Sequence, residues 1–254
     1  MTTYHLISTS AADDRAYRAL ADICGLAATV EHRIIGGHMV RLLLLAYPTG
    51  RATERSTADA DIGIDIALAG SGHLHHALTT AGYEATSGNS YSKTVGTETL
   101  DIDLLVAPGE KSQLLGGRRF DSAPGLYLAL HSKPLNVNVI AETTGGESIS
   151  IHACIPDLEA ALILKALAWK KRRSDKDLVD LHSLLEIRQE YRRTVTTWRM
   201  NDTDRVATGT RLAAASALHE LIDLAAREQL SGIGPATLQS RFAALIKSHV
   251  AQPR

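Results

Sequence analysis

Asp59 and Asp61 lie two residues apart in Thr57-Ala58-Asp59-Ala60-Asp61-Ile62-Gly63-Ile64-Asp65-Ile66, and a second alternating run follows at Leu100-Asp101-Ile102-Asp103-Leu104-Leu105-Val106. A strand puts residues i and i+2 on one face, roughly 6.6 Å apart, so both carboxylates project together while Ala60, Ile62 and Ile64 point into a core. Convergent carboxylates repel unless a cation sits between them. An all-oxygen pair suits Mg2+, which is commonly held by one or two carboxylates plus the phosphates of a substrate. The pattern points to metal-assisted phosphoryl chemistry. Asp65 shares the face but sits roughly 13 Å along the strand from Asp61, which leaves it solvated or behind the site.

The elements that must position these residues can be read from periodicity. A helix over 11–25 starts at the capping-competent Ser10, and a strand over 28–35 runs into Gly36-Gly37. The apolar stretch Met39 to Ala46 reads as a short buried helix ended by Tyr47-Pro48-Thr49-Gly50. The acidic strand covers 59–68, and a helix runs from Ser71 to Ala81. Further strands are expected at 90–95, 99–106, 135–141 and 148–154. From Pro156 the character changes to helices over 157–173, 176–193, 210–229 and 235–250, with a polar loop over 201–210. The expectation is a mixed α/β (α+β) domain over 1–155 followed by a helical domain over 156–254.

Composition bounds the rest. The chain has 254 residues, is 44% hydrophobic, and carries 27 Lys plus Arg against 28 Asp plus Glu, for a net charge of -1. That near-balance hides an asymmetry: residues 1–155 hold 11 basic and 16 acidic groups, a net of -5, and residues 156–254 hold 16 and 12, a net of +4. Only Cys24 and Cys154 occur, which argues against a disulfide scaffold and offers no zinc spacing. With no secretory leader pattern and no apolar run approaching the roughly 20 residues of a membrane span, a cytoplasmic protein without membrane partners is expected. No P-loop and no nucleophile-elbow motif is present.

Gly36-Gly37 at a strand-to-helix junction lets backbone N–H groups approach a phosphate and aims a helix N-terminus at it. Without a ligand the same pair would be a tight turn. Lys165 lies in the strongly apolar stretch Ala160 to Trp169, where a desolvated cation needs a partner. A triphosphate is one candidate, and Asp177 or Asp180 is the structural alternative. Ser174-Asp175-Lys176-Asp177 matches a capping box, which gives Asp177 a structural role of its own. Trp169 reads as core. Lys170-Lys171-Arg172-Arg173, with Arg188, Arg192 and Arg193, is either a solvated face or a phosphate-backbone surface. His73, His75 and His76 lack companion ligands and read as surface residues.

Taken together, Gly36-Gly37, Arg55-Ser56-Thr57-Ala58-Asp59-Ala60-Asp61, Asp103-Leu104-Leu105, Lys165 and Lys176-Asp177-Leu178-Val179-Asp180-Leu181 resemble the nucleotidyltransferase superfamily, and within it the AbiEii/MenT-type toxin branch. The resemblance implies that Gly36 and Gly37 hold the phosphates of an NTP, with Arg55 beside them. It implies that Asp59, Asp61 and Asp103 bind Mg2+ in a two-metal site, with Asp101 as the alternative to Asp103, and that Lys165, Lys176, Asp177 and Asp180 contribute to the nucleotide site. His38 follows Gly37 where many members have serine, and it either contacts phosphate or packs. The implied activity is transfer of a nucleotide to a hydroxyl with release of pyrophosphate. The implied acceptor is a tRNA 3' end and the implied setting a toxin-antitoxin system with a cognate antitoxin. A small-molecule nucleotidyltransferase of the antibiotic-modifying kind, or a silent nucleotide-binding protein, is the alternative.

Overall fold

Alternating apolar residues build the sheets of the first part of the chain, and Ala- and Leu-rich stretches build the helices that follow. The computed structural model describes residues 2–107 and 112–253. It divides into two compact units, Met1–Leu42 with Arg55–Pro156, and Leu43–Glu54 with Asp157–Arg254. The second unit thus includes a short segment from the early sequence.

In chain order the first unit contains β1 (Thr3–Ile7), α1 (Ala11–Leu26), β2 (His32–Ile34), the start of α2 (Gly36–Ala46), β3 (Ala60–Asp65), α3 (Ile66–Ser71) and α4 (His73–Thr80). There follow β4 (Glu84–Ala85), β5 (Ser90–Val95), β6 (Glu98–Ala107), β7 (Gln113–Leu115), β8 (Arg118–Phe120), α5 (Leu126–His131), β9 (Leu135–Glu142) and β10 (Ser148–Ile155). Among the described residues, the strands form a five-stranded sheet of order β2-β3-β6-β5-β4, a three-stranded sheet of order β1-β9-β10 and the β7-β8 ribbon. The central pair β3 and β6 is parallel, and β5 runs antiparallel to β6. Ala60, Ile62, Ile64, Ile102, Leu104 and Val106 are all buried, as the alternation predicts for one face turned to the core.

Two expected strands are shorter than their apolar runs. Ala28 N–H bonds Gly25 O and Val30 N–H bonds Ala27 O, so the residues before β2 belong to the turn that ends α1. At the other end of β3, the Asp65 carboxylate accepts from Ala67 N–H at 2.7 Å and caps α3, which stops the strand at Asp65. The expected helix over 71–81 is α4, and α3 precedes it over residues whose start was expected as strand, the two helices divided at Gly72. Arg33 carries the structure outward from β2: its guanidinium is 2% exposed and donates to Leu130 O at 2.8 Å and Ser132 O at 3.0 Å at the end of α5.

The second unit packs α6 (Leu158–Arg172), α7 (Asp175–Glu190), α8 (Gly209–Ala226) and α9 (Ala236–His249). Asp157 caps α6 through Ala160 N–H at 2.9 Å. Buried Glu159 then gathers the Met200 N–H and the Arg211 guanidinium, at 3.0 and 2.9 Å, which ties the loop after α7 and the start of α8 to α6. Segment 43–54 is fastened to α7: Thr53 N–H donates to Ser183 Oγ, Ser183 Oγ–H donates to Thr53 O, and Tyr191 Oη donates to Pro48 O at 2.9 Å. The rings of Tyr47 and Tyr191 meet edge to face at 5.2 Å. Among the described residues no helix is long and apolar enough to cross a membrane.

Candidate active site

The site in the first unit starts at the junction of β2 and α2. Ile35 N–H bonds Asp61 O at 2.9 Å, which extends the β2–β3 pairing to the edge of the helix, and Met39 N–H bonds Ile35 O to open it. Gly36 and Gly37 therefore form the first turn of α2, where N–H groups have no intrahelical acceptor. Gly36 has φ +67, and a Cβ on it would overlap Asp61 Oδ2 and come within 2.7 Å of Asp61 Cγ. A Cβ on Gly37 would fall 2.7 Å from Thr57 Oγ1 and 3.0 Å from Arg55 Nη2. The absence of side chains on both glycines is what lets Asp61, Thr57 and Arg55 close on this turn.

The strand register supplies the second carboxylate. Asp61 and Asp103 are register partners across β3 and β6, on strands about 4.8 Å apart, so they share a face. Asp103 accepts from Ser90 Oγ–H at 2.5 Å, while Asp101, two residues earlier, accepts from Ser92 Oγ–H at 2.5 Å. Asp103, rather than Asp101, is thus the residue beside Asp61. Asp59 lies one residue before β3 and is exposed.

The donor set decides whether these residues suit a divalent cation. Two half-exposed carboxylates on neighbouring strands, next to a turn a Cβ would fill, match the Mg2+ habit of taking one or two carboxylates and leaving the remaining positions to water and phosphate. Among the described residues no group of three His, Cys, Asp or Glu side chains is gathered for a metal. The pair fits a cation completed by substrate rather than a closed protein cage.

Beneath the turn lies a polar network that the sequence did not announce. Asp13 is 3% exposed and accepts from Thr9 N–H at 3.1 Å, Thr9 Oγ–H at 2.8 Å, Ser56 Oγ–H at 3.0 Å and Arg41 Nη1 at 3.3 Å. Burial would raise its pKa, but the hydrogen bonds from Thr9 and Ser56 and the charge of Arg41 outweigh it and hold the carboxyl below its ordinary value. Asp13 thereby joins the start of α1 to α2 and to the Arg55–Thr57 segment. Its signal in the sequence was only Ser10 three residues earlier, whose Oγ accepts from Asp13 N–H and caps α1. His38 is 1% exposed, and its pKa is pushed down to about 3 by burial and by the charges of Arg41 and Arg55. It is a neutral packing residue.

In the second unit, Lys165 meets the carboxylates named beside it. Its Nζ lies 2.6 Å from Asp180 Oδ2 and 3.5 Å from Asp177 Oδ1, with all three side chains buried. Asp177 is also chelated by Arg172, with Nε and Nη2 each at 2.6 Å. The expected capping box does not form: Ser174 is the N-cap of α7 but makes no side-chain cap bond, the Asp177 N–H bonding the Ser174 carbonyl at 3.1 Å instead, while the Asp177 carboxylate is held by Arg172 and Lys165. Lys176 is exposed. Of the basic run, Lys170 and Arg173 pair with Glu220, and Arg173 also stacks 4.2 Å from the centre of the buried Trp169 ring. Arg188 is buried against Trp198 and donates to Arg192 O and Val195 O. Most of that run is structural. His73 and His76 are exposed, whereas His75 is half-buried and contacts Tyr91 Oη at 3.0 Å.

Two solved structures align with much of the chain. The solution structure of the antibiotic-resistance factor ANT(2'')-Ia aligns at 13% identity with a TM-score of 0.43, covering 85% of this chain and 98% of that one. The crystal structure of JHP933 from Helicobacter pylori aligns at 15% identity with a TM-score of 0.43, covering 95% and 94%. No protein-family model and no curated protein matches the chain.

Proposed function

We propose that this chain is an Mg2+-dependent nucleotidyltransferase that moves a nucleotide from an NTP to a hydroxyl acceptor. The observation that carries the reading is the seat of Asp61 against Gly36, with Asp103 in register beside it and Arg55 on Gly37. A carboxylate pair beside a glycine turn lined by amides and a guanidinium serves one reaction well: attack on a polyphosphate. The acceptor oxygen bonds to the α-phosphorus as the bond from that phosphorus to the pyrophosphate oxygen breaks. In this reading Asp103, tied at Oδ1 by Ser90, accepts the hydroxyl proton. The amides of Gly36 and Gly37 and the charge of Arg55 meet the triphosphate and the leaving pyrophosphate. Asp61 and Asp103, with Asp59 at the rim, would hold Mg2+, which when bound stabilises charge on the attacking and departing oxygens.

Lys165, held between Asp177 and Asp180, acts in this proposal by fixing α6 against α7, and exposed Lys176 is the cation available to a ligand. The acceptor we assign is a tRNA 3' end and the setting a toxin-antitoxin pair, both on the sequence resemblance. The test incubates purified protein with bulk tRNA, Mg2+ and each labelled NTP in turn. Label should pass to tRNA with at least one NTP, and Asp61→Asn should lower the rate by about a hundredfold or more. No transfer to any acceptor, or full transfer by Asp61→Asn, would sink the proposal. Label on a small alcohol instead would reassign the acceptor.

A further inference from the structure

A separate cleft of about 690 Å3 opens in the second unit, where Arg51, Arg192, Arg193 and Arg241 converge with Glu186 and Glu190. Its arginines come from three distant parts of the chain, and the fold is built to bring them together. Arg51 rides on the segment that Ser183 and Tyr191 fasten to α7. Arg192 and Arg193 sit on the turn after α7, which Arg188 shapes by donating to the carbonyls of Arg192 and Val195 at 3.1 and 3.0 Å. Arg241 is committed, chelated by Glu186. Among the described residues, Arg51, Arg192 and Arg193 form no ion pair with any carboxylate, and all three are exposed.

We infer that this cleft binds the phosphodiester backbone of a nucleic acid. Guanidinium groups offer forked donors that match phosphate oxygens two at a time, and three of them around one cleft suit a run of phosphates rather than a single anion. Among the described residues no apolar or aromatic side chain lines the cleft, so none of them would stack a base or bury a nucleoside. The contacts available are those that position a backbone without reading sequence. The inference stands apart from nucleotidyl transfer, because binding at this cleft needs neither NTP nor the Asp61 turn.

The experiment measures binding of a fluorescein-labelled, mixed-sequence single-stranded RNA to the full chain across a salt series, without NTP. Replacing the three uncommitted arginines together, Arg51→Gln, Arg192→Gln and Arg193→Gln, should weaken binding about tenfold or more and reduce the log–log salt slope by about 2. Thermal melting of that variant should match the parent, because the three side chains are exposed. Glu190→Gln, which removes a negative charge from the cleft, should tighten binding by roughly threefold. RNA binding unchanged in the triple variant overturns the inference. So does arginine-dependent binding of inorganic tripolyphosphate with none of RNA, which would make the cleft a site for free polyphosphate. Because the readout is binding alone, absence of nucleotidyl transfer leaves the result interpretable.

Discussion

At Gly36 a single hydrogen atom in place of a side chain determines how near the backbone comes to a carboxylate. The residue has φ +67 and no room for a Cβ beside Asp61. Gly36→Ala should therefore cost about 1–2 kcal/mol in backbone strain and displace Asp61. The expected result is a small fall in melting temperature with a disproportionate loss of nucleotide transfer. Gly25→Ala, inside α1 where a Cβ meets nothing within 4 Å, should leave transfer unchanged and hold or slightly raise the melting temperature, because alanine favours a helix over glycine, and it serves as the control. Lys165 poses the opposite case, a charge held entirely by its neighbours. Lys165→Met would take a buried cation from between Asp177 and Asp180, and chemical denaturation should show a loss of about 3–5 kcal/mol. The apolar surroundings of Lys165 were plain in the sequence, and so was the need for a partner. Asp177 or Asp180 was the partner the sequence offered beside a triphosphate; that Lys165 meets both carboxylates at once is a tertiary fact.

At the scale of elements, the long alternating runs were legible and the short ones were not. β3 and β6 announce themselves because one face of each is fully buried while aspartates line the other. β1, β7, β8 and α5 have three to six residues each, too short to show a period; β1 takes its pairing from distant chain, aligning with β9 from Thr3 and Asn138 onward, while β7 and β8 pair with each other across a two-residue turn. Ser90 was equally hidden as a site residue, since only the β5–β6 register brings it to Asp103. Helix ends carry a measurable signature of their own. His249 closes α9 with Nε2 2.7 Å from Gln189 Oε1, and its pKa falls from 6.5 to about 4 through burial and the charges of Arg188 and Arg192. The unfolded chain takes up this proton below about pH 6.5, whereas the folded chain resists it until about pH 4. The stabilisation is complete above the upper value and is lost as pH falls between the two, by roughly 3 kcal/mol. Urea titrations across that range should show the decline, and His249→Gln should flatten it.

For the whole molecule, the division into units does not follow the order of the chain. The change of composition near residue 156 is visible in the sequence, but nothing in Tyr47 to Glu54 signals that this stretch packs with helices that begin more than a hundred residues later. A fragment starting at Asp157 would lack the partners of Ser183 and Tyr191. Its thermal unfolding, followed by circular dichroism, should be broader and lower than that of the same helices in the full chain, and adding a peptide of residues 43–54 should raise it. The Thr53–Ser183 and Pro48–Tyr191 hydrogen bonds span 130 and 143 residues. Closing loops of that size places them late among folding events, because the entropy of closure must be met before the contacts form. During synthesis the glycine turn and Arg55 emerge on either side of a segment whose anchors have not yet been made, so that stretch must wait unpaired until α7 leaves the ribosome.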